Sequence, residues 1–259
     1  MDSKKVQKYI NRKTLIYKTE VEYGDYTINH VLGCSHGCKY PCYAYLMKKR
    51  FGEVKSYEDW CEPALVANIT ELLDVEIPKF KEKIQTLHLC FTTDPFMYEY
   101  PEIQKASFEI LEKANNAGIK CSVLTKGVLP IELSTLSRAN EYGITLVSLS
   151  EGFRQSMEPG SAPLEQRLAS LKTLHDAGCK TWVSIEPYPT PNIIQQDLNE
   201  ILNAVWFVDK IIFGRTNYSK TISSYKDYRS FYNEQADIVI NYCKEHRKSY
   251  HIKDGTITE

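Results

Sequence analysis

Residues 103–124 read I-Q-K-A-S-F-E-I-L-E-K-A-N-N-A-G-I-K-C-S-V-L. The first part carries apolar residues at helical spacing, and Gly118 ends this pattern just before the apolar run at 120–124. The same turn recurs at 176–180, where D-A-G-C-K matches the N-A-G-I-K of 116–120. A helix that ends in glycine and passes at once into an apolar strand predicts parallel β/α units.

The same alternation extends outward along the chain. The predicted strands are 27–32, 86–92, 120–124, 145–150, 181–186, 210–213 and 250–252. The predicted helices are 44–50, 63–73, 103–117, 129–140, 163–177, 195–205 and 228–246. Such a series closes into a full or partial β/α barrel, so we expect an α/β fold with its chemistry at the carboxyl ends of the strands.

Polar side chains follow the predicted strands, although the strands themselves are apolar. They are Cys34, Cys38 and Cys42; Thr92, Thr93 and Asp94; Thr125 and Lys126; Ser148, Ser150 and Glu151; Glu186; and Arg215, Thr216 and Asn217. Because the carboxyl ends of barrel strands meet at one face, we expect these side chains to surround one active site.

The bulk composition is that of a globular protein without a strong charge field. The chain has 259 residues, of which 42% are apolar and 25% charged, and its net charge is −1. This balance gives no general preference for nucleic acid or for a membrane. No apolar run has the length of a bilayer span, and the polar, lysine-rich start of the chain is unlike a secretory signal. We therefore expect a cytoplasmic protein whose eight cysteines stay reduced.

Three of the cysteines are crowded into one segment, the cysteine loop at 33–42, which reads G-C-S-H-G-C-K-Y-P-C. Cys34, Cys38 and Cys42 are separated by three residues each. Thiolates are the usual ligands of iron–sulfur clusters, and three of them can bind three irons of a [4Fe–4S] cube while the fourth iron stays open. Structural zinc with His36 as a fourth ligand is the alternative, although paired C-x2-C spacing is more usual for zinc.

The cysteine loop resembles the signature of the radical SAM superfamily, in which an aromatic residue precedes the third cysteine; here Pro41 is an extra residue after the aromatic one. Further segments are similar, in order, to the branch that contains spore photoproduct lyase and relatives labelled DNA repair photolyases. They are F-T-T-D-P-F at 91–96, C-S-V-L-T-K-G at 121–127, L-V-S-L-S at 146–150 and M-E-P-G-S-A-P-L-E-Q-R-L at 157–168. The resemblance runs over residues 13–191.

The resemblance implies a single domain of radical SAM type. Its core is a partial (β/α)6-type TIM barrel at 27–215, with an N-terminal extension at 1–26 packed on the barrel. A C-terminal helix and strand occupy 216–259, and this strand is a candidate seventh barrel strand. The implied activity is reductive cleavage of S-adenosylmethionine (SAM) at the cluster into methionine and a 5′-deoxyadenosyl radical. The implied partner is an electron donor such as flavodoxin or ferredoxin.

The matching positions also imply which side chains contact SAM. The resemblance places Tyr40 beside the adenine of SAM. It places Thr92, Thr93 and Asp94 at the end of the second strand, where Asp94 accepts a hydrogen bond from the methionine ammonium, and it places Lys126 on the methionine carboxylate. Ser148 or Ser150 contacts the ribose, and Glu186 contacts the ribose, Lys126 or Arg215. Each has a structural alternative: a turn aspartate, a solvated lysine, serines bonded to the backbone, and a structural ion pair for the glutamate.

The substrate is open at this stage. A nucleic-acid repair or modification reaction is the first hypothesis, a peptide or small-molecule substrate is the second, and a non-catalytic zinc-binding module is the third. In the spore photoproduct lyase branch, a cysteine just before the Ser-Asp of strand two donates a hydrogen atom. Thr92 occupies the matching position here, and Cys90, the nearest thiol, is the candidate catalytic residue.

Overall fold

The structure is a computed structural model that describes residues 3–217 and 219–258. The strands in these residues are β1 Lys8–Ile10, β2 Ile16–Lys18, β3 Tyr26–Ile28, β4 Val31–Leu32, β5 Ala64–Val66, β6 Thr86–Leu89, β7 Lys120–Thr125, β8 Glu141–Thr145, β9 Lys180–Tyr188, β10 Lys210–Arg215 and β11 Ser249–Ile252. The helices are α1 Tyr43–Arg50, α2 Tyr57–Cys61, α3 Ile69–Phe80, α4 Pro101–Asn116, α5 Glu151–Met157, α6 Leu164–Asp176, α7 Leu198–Ala204, α8 Lys220–Ser223 and α9 Tyr228–Glu245, with a 3-10 turn at Ile131–Thr135.

The main sheet has the order β11-β10-β9-β8-β7-β6-β3-β2 among the described residues. From β3 to β11 all neighbours are parallel, and β2 pairs antiparallel with β3 at one edge. Within the described ranges β2 and β11 do not pair with each other, so the barrel is open. The predicted partial TIM-type barrel is confirmed, and β11 supplies its seventh parallel strand.

The helix-to-strand turns read from the sequence are present. Gly118 and Gly178 both have a φ of +81°, a left-handed conformation in which a Cβ is unfavourable. They end α4 and α6, which pack on the outer face of the sheet and bury the apolar stripe of each helix. Burial of this apolar surface stabilises the layered arrangement.

A small second sheet was not predicted. Residues 64–66, expected to begin a helix, form β5, which pairs with β1 and β4. The predicted strand 27–32 is accordingly divided between the two sheets as β3 and β4. A short apolar run has no clear period, so its neighbours in space decide between helix and strand.

The predicted helix at 129–140 is wrong, because only the 3-10 turn at Ile131–Thr135 forms there. Leu133 is fully buried, as the helical pattern required. However, the side chain of Asn140 accepts from the backbone N–H of Cys121 at 2.9 Å, and β8 begins at the next residue. The side-chain to backbone bond fixes an extended chain in place of the last helical turn.

The two strands of the predicted N-terminal extension at 1–26 are divided between the sheets. β1 joins the small sheet, and β2 forms the edge of the main one. The hairpin between β2 and β3 carries Tyr23, whose ring lies 5.1 Å from that of His88 in β6 and 5.2 Å from that of Trp182 in β9. Because β7 and β8 separate those two strands, Tyr23 lies inside the curved sheet. No helix in the described part of the chain is long and apolar enough to cross a membrane.

The Trp182 ring packs so closely on β8 that we predict that position 143 must be glycine. A Cβ at Gly143 would lie 2.4 Å from the Trp182 ring, so we expect Gly143→Ala to lower the free energy of unfolding by about 1–3 kcal/mol through overpacking. Urea denaturation measures this change. The matched control is Gly152→Ala in α5, where the nearest atom is 3.8 Å away and the helix should gain up to about 1 kcal/mol. Equal stability of the two variants would contradict the proposed close packing.

Candidate functional site

The cysteine loop follows β4 and is held by hydrogen bonds to α2. The N–H of Cys34 donates to the carbonyl of Trp60 at 2.8 Å, and the hydroxyl of Tyr57 donates to the carbonyl of Cys38. Gly33 has a φ of +89°, and a Cβ there would lie 2.6 Å from the Trp60 carbonyl oxygen. These contacts fix the path of the loop before its thiols bind anything.

His36 ties the middle of the cysteine loop to the segment after β6. Its Nδ1 lies 3.5 Å from Oδ2 of Asp94, and its Nε2 accepts from the backbone N–H of Tyr98 at 3.5 Å. Burial lowers the pKa of His36 to about 4, so the ring is neutral at neutral pH. Both ring nitrogens are engaged within the fold, which supports a role in holding the loop rather than the fourth zinc ligand considered above.

Asp94 is buried and joins the ends of β6 and β7. One carboxylate oxygen accepts from Oγ1 of Thr125 at 2.6 Å and from the N–H of Phe96 at 2.9 Å. The other accepts from the N–H of Lys126 at 2.7 Å. Both oxygens are thus used inside the protein. The predicted contact with the amino group of SAM stays a prediction, while the structure gives Asp94 a clear part in placing Lys126.

Lys126 brings a positive charge to the cysteine loop. Its Nζ lies 3.5 Å from Sγ of Cys38, 2.7 Å from Oε1 of Glu158 and 5.0 Å from the ring centre of Tyr40. Burial by itself lowers the pKa of Lys126, but Cys38 and Glu158 outweigh it and raise the pKa above its usual value. The lysine is therefore charged, and it is not the solvated strand-end residue that was the alternative.

Glu158 is a site residue that the sequence analysis did not single out. Its carboxylate accepts from the hydroxyl of Tyr40 and lies 2.8 Å from the guanidinium of Arg167. Burial alone would raise the pKa of Glu158, but Lys126 and Arg167 outweigh it and lower the pKa to about 2. Both Glu158 and Arg167 belong to the segment 157–168 that carried part of the family resemblance. Their nine-residue separation across a turn has no helical or strand spacing that would have marked them as a pair.

The two threonines before Asp94 bond to the segment that runs from the end of β3 into β4. Thr92 donates from its N–H and its hydroxyl to Oδ1 of Asn29, each at 3.1 Å. Thr93 donates from Oγ1 to the carbonyl of Val31 at 3.4 Å. They hold the end of β6 against the chain leading into the cysteine loop, and their predicted contacts with SAM stay predictions.

Cys90 lies in surroundings that do not support a hydrogen donor. Its side chain is 3% exposed and packs with Val31, Leu65 and Met97. Its Sγ lies 3.4 Å from Nδ1 of His30, and burial raises the pKa of the thiol to about 12. A hydrogen donor must meet its substrate, whereas this thiol is enclosed by core side chains. The strand-end position alone did not show which way the side chain faces.

The remaining predicted SAM contacts are engaged elsewhere. Ser150 caps α5 by accepting from the N–H of Phe153 at 3.2 Å, and Oγ of Ser148 accepts from the N–H of Ser150 at 3.1 Å. Glu186 lies 2.6 Å from Nζ of Lys253, and burial raises the pKa of its carboxyl. These are the structural alternatives considered for the serines and the glutamate. The structure brings Tyr40, Asp94 and Lys126 together at the cysteine loop, and the predicted contacts of Ser148, Ser150 and Glu186 with SAM stay predictions.

Two curated proteins are similar to this chain, and neither has an established function in its name. Uncharacterised protein ORF301 of Acidianus two-tailed virus is 30% identical over 189 residues, covering 70% of this chain and 61% of the viral protein. Uncharacterised protein MJ0683 of Methanocaldococcus jannaschii is 28% identical over 182 residues, covering 69% of this chain and 66% of the archaeal protein. The chain thus spans less than two thirds of the length of either relative.

Solved structures share the fold at low sequence identity. Spore photoproduct lyase complexed with dinucleoside spore photoproduct superposes with a TM-score of 0.67 at 14% identity, covering 94% of this chain and 80% of that one. Streptococcus suis SuiB superposes with a TM-score of 0.53 at 14% identity, covering 73% of this chain and 44% of that one. These likenesses concern the fold alone. The family model of the Radical SAM superfamily matches residues 28–205, more than half of the sequence, and the chain therefore belongs to this superfamily.

Proposed function

We propose that this protein reductively cleaves SAM at a [4Fe–4S] cluster held by Cys34, Cys38 and Cys42. The observation that carries the proposal is the 3.5 Å contact between Nζ of Lys126 and Sγ of Cys38, which places a largely buried cation, 14% exposed, against a candidate cluster ligand. When bound, the cluster supplies one electron to the sulfonium of SAM, and methionine and a 5′-deoxyadenosyl radical result.

The residues of the loop fit an iron–sulfur cluster. Burial raises the pKa of Cys34 well above its usual value and that of Cys38 to about 11, although Lys126 by itself lowers the pKa of Cys38. These thiols therefore lose their protons only when a metal binds them. The hydroxyl of Ser35, also in the loop, is buried without a hydrogen-bond partner among the described residues, and it suits a sulfide acceptor.

The assignment of Cys34, Cys38 and Cys42 as cluster ligands rests on the chemistry of the loop and on the superfamily, and not on a metal site already formed among the described residues. Within residues 3–217 and 219–258, no group of three or more His, Cys, Asp and Glu side chains is arranged to hold a metal ion. A non-catalytic zinc module is the other reading of three close cysteines, and metal analysis separates the two.

Single cysteine substitutions test the ligands. We expect anaerobically reconstituted protein to hold about four irons and four sulfides per chain, and Cys34→Ala, Cys38→Ala or Cys42→Ala to lose the cluster, because three thiolates are needed to retain it. Iron and sulfide assays with absorption near 400 nm measure this.

The matched control for that experiment is Cys61→Ala, since Cys61 is also a free thiol and packs against the same small apolar cluster as Cys34 and Cys42. It should keep full iron content. A complete [4Fe–4S] signal in Cys42→Ala would show that the third ligand is assigned wrongly, and zinc in place of iron in the wild-type protein would favour the metal-binding module.

For the substrate we propose a nucleic acid. Support comes from the fold neighbour solved with a dinucleoside photoproduct, which matches 94% of this chain. A peptide or small molecule is the second candidate, favoured by the net charge of −1, since proteins that bind phosphate backbones usually carry excess positive charge. The nucleic-acid candidate includes Cys90 as the hydrogen donor, and the burial of Cys90 argues against that role.

We further propose that a flavodoxin or ferredoxin of the cytoplasm reduces the cluster. The exposed cations Lys49 and Arg50 at the end of α1, whose first residue follows Cys42, are a suitable surface for such an acidic donor.

Cleavage of SAM without substrate tests the activity. We expect dithionite-reduced, iron-replete protein to convert SAM slowly into methionine and 5′-deoxyadenosine, because one electron suffices to break the carbon–sulfur bond. Liquid chromatography with mass spectrometry detects both products. Cys38→Ala should form neither, and the absence of both products from folded, four-iron wild-type protein would contradict the enzymatic proposal.

A further inference from the structure

We infer that Glu158 is a positioning residue of the SAM site: anchored by Arg167, it holds the ammonium of Lys126 between Cys38 and the carboxylate of bound SAM. The inference rests on the proposed function. It adds a residue that the strand-end pattern did not indicate, since Glu158 follows α5 rather than a strand.

The backbone around Glu158 is fastened directly to the cysteine loop. On one side the carbonyl of Met157 accepts from the N–H of Lys39 at 2.8 Å, and on the other the N–H of Gly160 donates to the carbonyl of His36 at 3.0 Å. A Cβ at position 160 would lie 2.1 Å from the carbonyl oxygen of Ser35, so only glycine permits this approach. Glu158 is thus set at a fixed distance from the loop that carries the three thiols.

Arg167 fixes the carboxylate itself. Its guanidinium bonds to the carbonyls of Thr145 at 3.0 Å and Ala162 at 2.9 Å, and to Oε2 of Glu158 at 2.8 Å. Arg167 and Glu158 are 1% and 2% exposed. Buried charges are costly unless paired and hydrogen-bonded, so Oε2 is committed to the arginine and Oε1 is left to face Lys126.

The other carboxylate oxygen then orients the lysine. Oε1 of Glu158 lies 2.7 Å from Nζ of Lys126 and also accepts from the hydroxyl of Tyr40, whose ring lies under the ammonium. An ammonium has three N–H donors. Glu158 and the sulfur of Cys38 take two of them, and the third has no acceptor among the described residues. A free donor beside the cluster ligand suits an incoming carboxylate, with which it forms a charge-assisted bond.

The net charge of the group supports the same conclusion. Arg167, Glu158 and Lys126 together carry one positive charge, because Glu158 lies between the two cations at 2.8 Å and 2.7 Å. Without the glutamate, a flexible four-carbon side chain would keep many conformations and the two cations would repel each other. Fixing the ammonium in advance reduces the ordering that SAM binding would otherwise require.

A double-mutant cycle on SAM affinity tests the inference. Wild type, Glu158→Gln, Lys126→Ala and the double variant are reconstituted anaerobically, and the Kd for SAM is measured by equilibrium dialysis beside the iron content. We expect Glu158→Gln to weaken SAM binding about ten-fold, as a lost charge-assisted bond does, with iron unchanged. The double variant should bind as Lys126→Ala does, because Glu158 acts through the lysine.

Glu141→Gln is the matched control. Glu141 is the first residue of β8, is 20% exposed and pairs with Lys120 at 2.5 Å and with Lys210 at 2.6 Å, and its loss should leave the Kd unchanged. Glu158→Asp keeps the charge one methylene further from the lysine and should give an intermediate Kd. This variant decides the question if Glu158→Gln does not fold.

Each contrary result has a distinct meaning. Unchanged SAM affinity in iron-replete Glu158→Gln, or in folded Glu158→Asp if the first variant is unstable, overturns the inference. Additive losses in the double variant also overturn it, since they show an effect independent of Lys126. If four-iron wild-type protein itself does not bind SAM, the proposed function fails, and the inference fails with it.

Discussion

The candidate site depends on the hydrogen bonds that the buried carboxylate of Asp94 accepts. The carboxylate accepts from Thr125 and from the backbone N–H of Lys126, and it lies 3.5 Å from the ring of His36 in the cysteine loop. One buried group therefore joins the end of β6, the end of β7 and the loop between β4 and α1. A buried carboxylate is costly unless it is satisfied, and satisfying this one requires all three segments to be in place. The geometry of the site is thus coupled to the packing of neighbouring strands.

The second layer of the site is a chain of buried charges that runs from Arg167 through Glu158 to Lys126 and ends at the sulfur of Cys38. Such an arrangement is a poor way to gain stability, because desolvation offsets most of the attraction between the ions. It is a good way to hold a cation next to a group that will become negative. The thiolates of an iron–sulfur site are such groups. Hydrogen bonds and charges near the sulfurs of a cluster influence the reduction potential of that cluster.

The sequence predicted the barrel because each repeated unit carries its own local signals. Gly118 and Gly178 terminate helices, and apolar runs without polar residues indicate buried parallel strands. The order of strands along the chain then places Asp94 and Lys126 at one face. The small sheet escaped prediction because residues 64–66 are apolar in a pattern common to helix and strand, and only pairing with β1 and β4 decides between them.

Side-chain direction was the part that the sequence could not supply. Cys90 follows β6 and Glu186 lies near the end of β9, whereas Ser148 and Ser150 lie beyond β8, which ends at Thr145 and does not span the predicted 145–150. The contacts of these four residues are with the core, a helix N-terminus and Lys253. A one-residue difference in where a strand ends turns a side chain from one face to the other. Glu158 is not at a strand end and yet lies in the site. It follows a helix, and the turn after it approaches the cysteine loop so closely that there is no room for a Cβ at Gly160.

The charges inside the curved sheet bear on the substrate. Lys253 lies 2.6 Å from Glu186 and 3.0 Å from Glu22, so one cation is shared by two carboxylates there. A group with this balance repels phosphate, whereas nucleic-acid backbones are bound by excess lysine and arginine. This ion group therefore disfavours a phosphate at its own position, and a neutral small molecule or peptide segment meets no such repulsion there. The group thus weighs against the nucleic-acid proposal unless the phosphates of the substrate lie elsewhere.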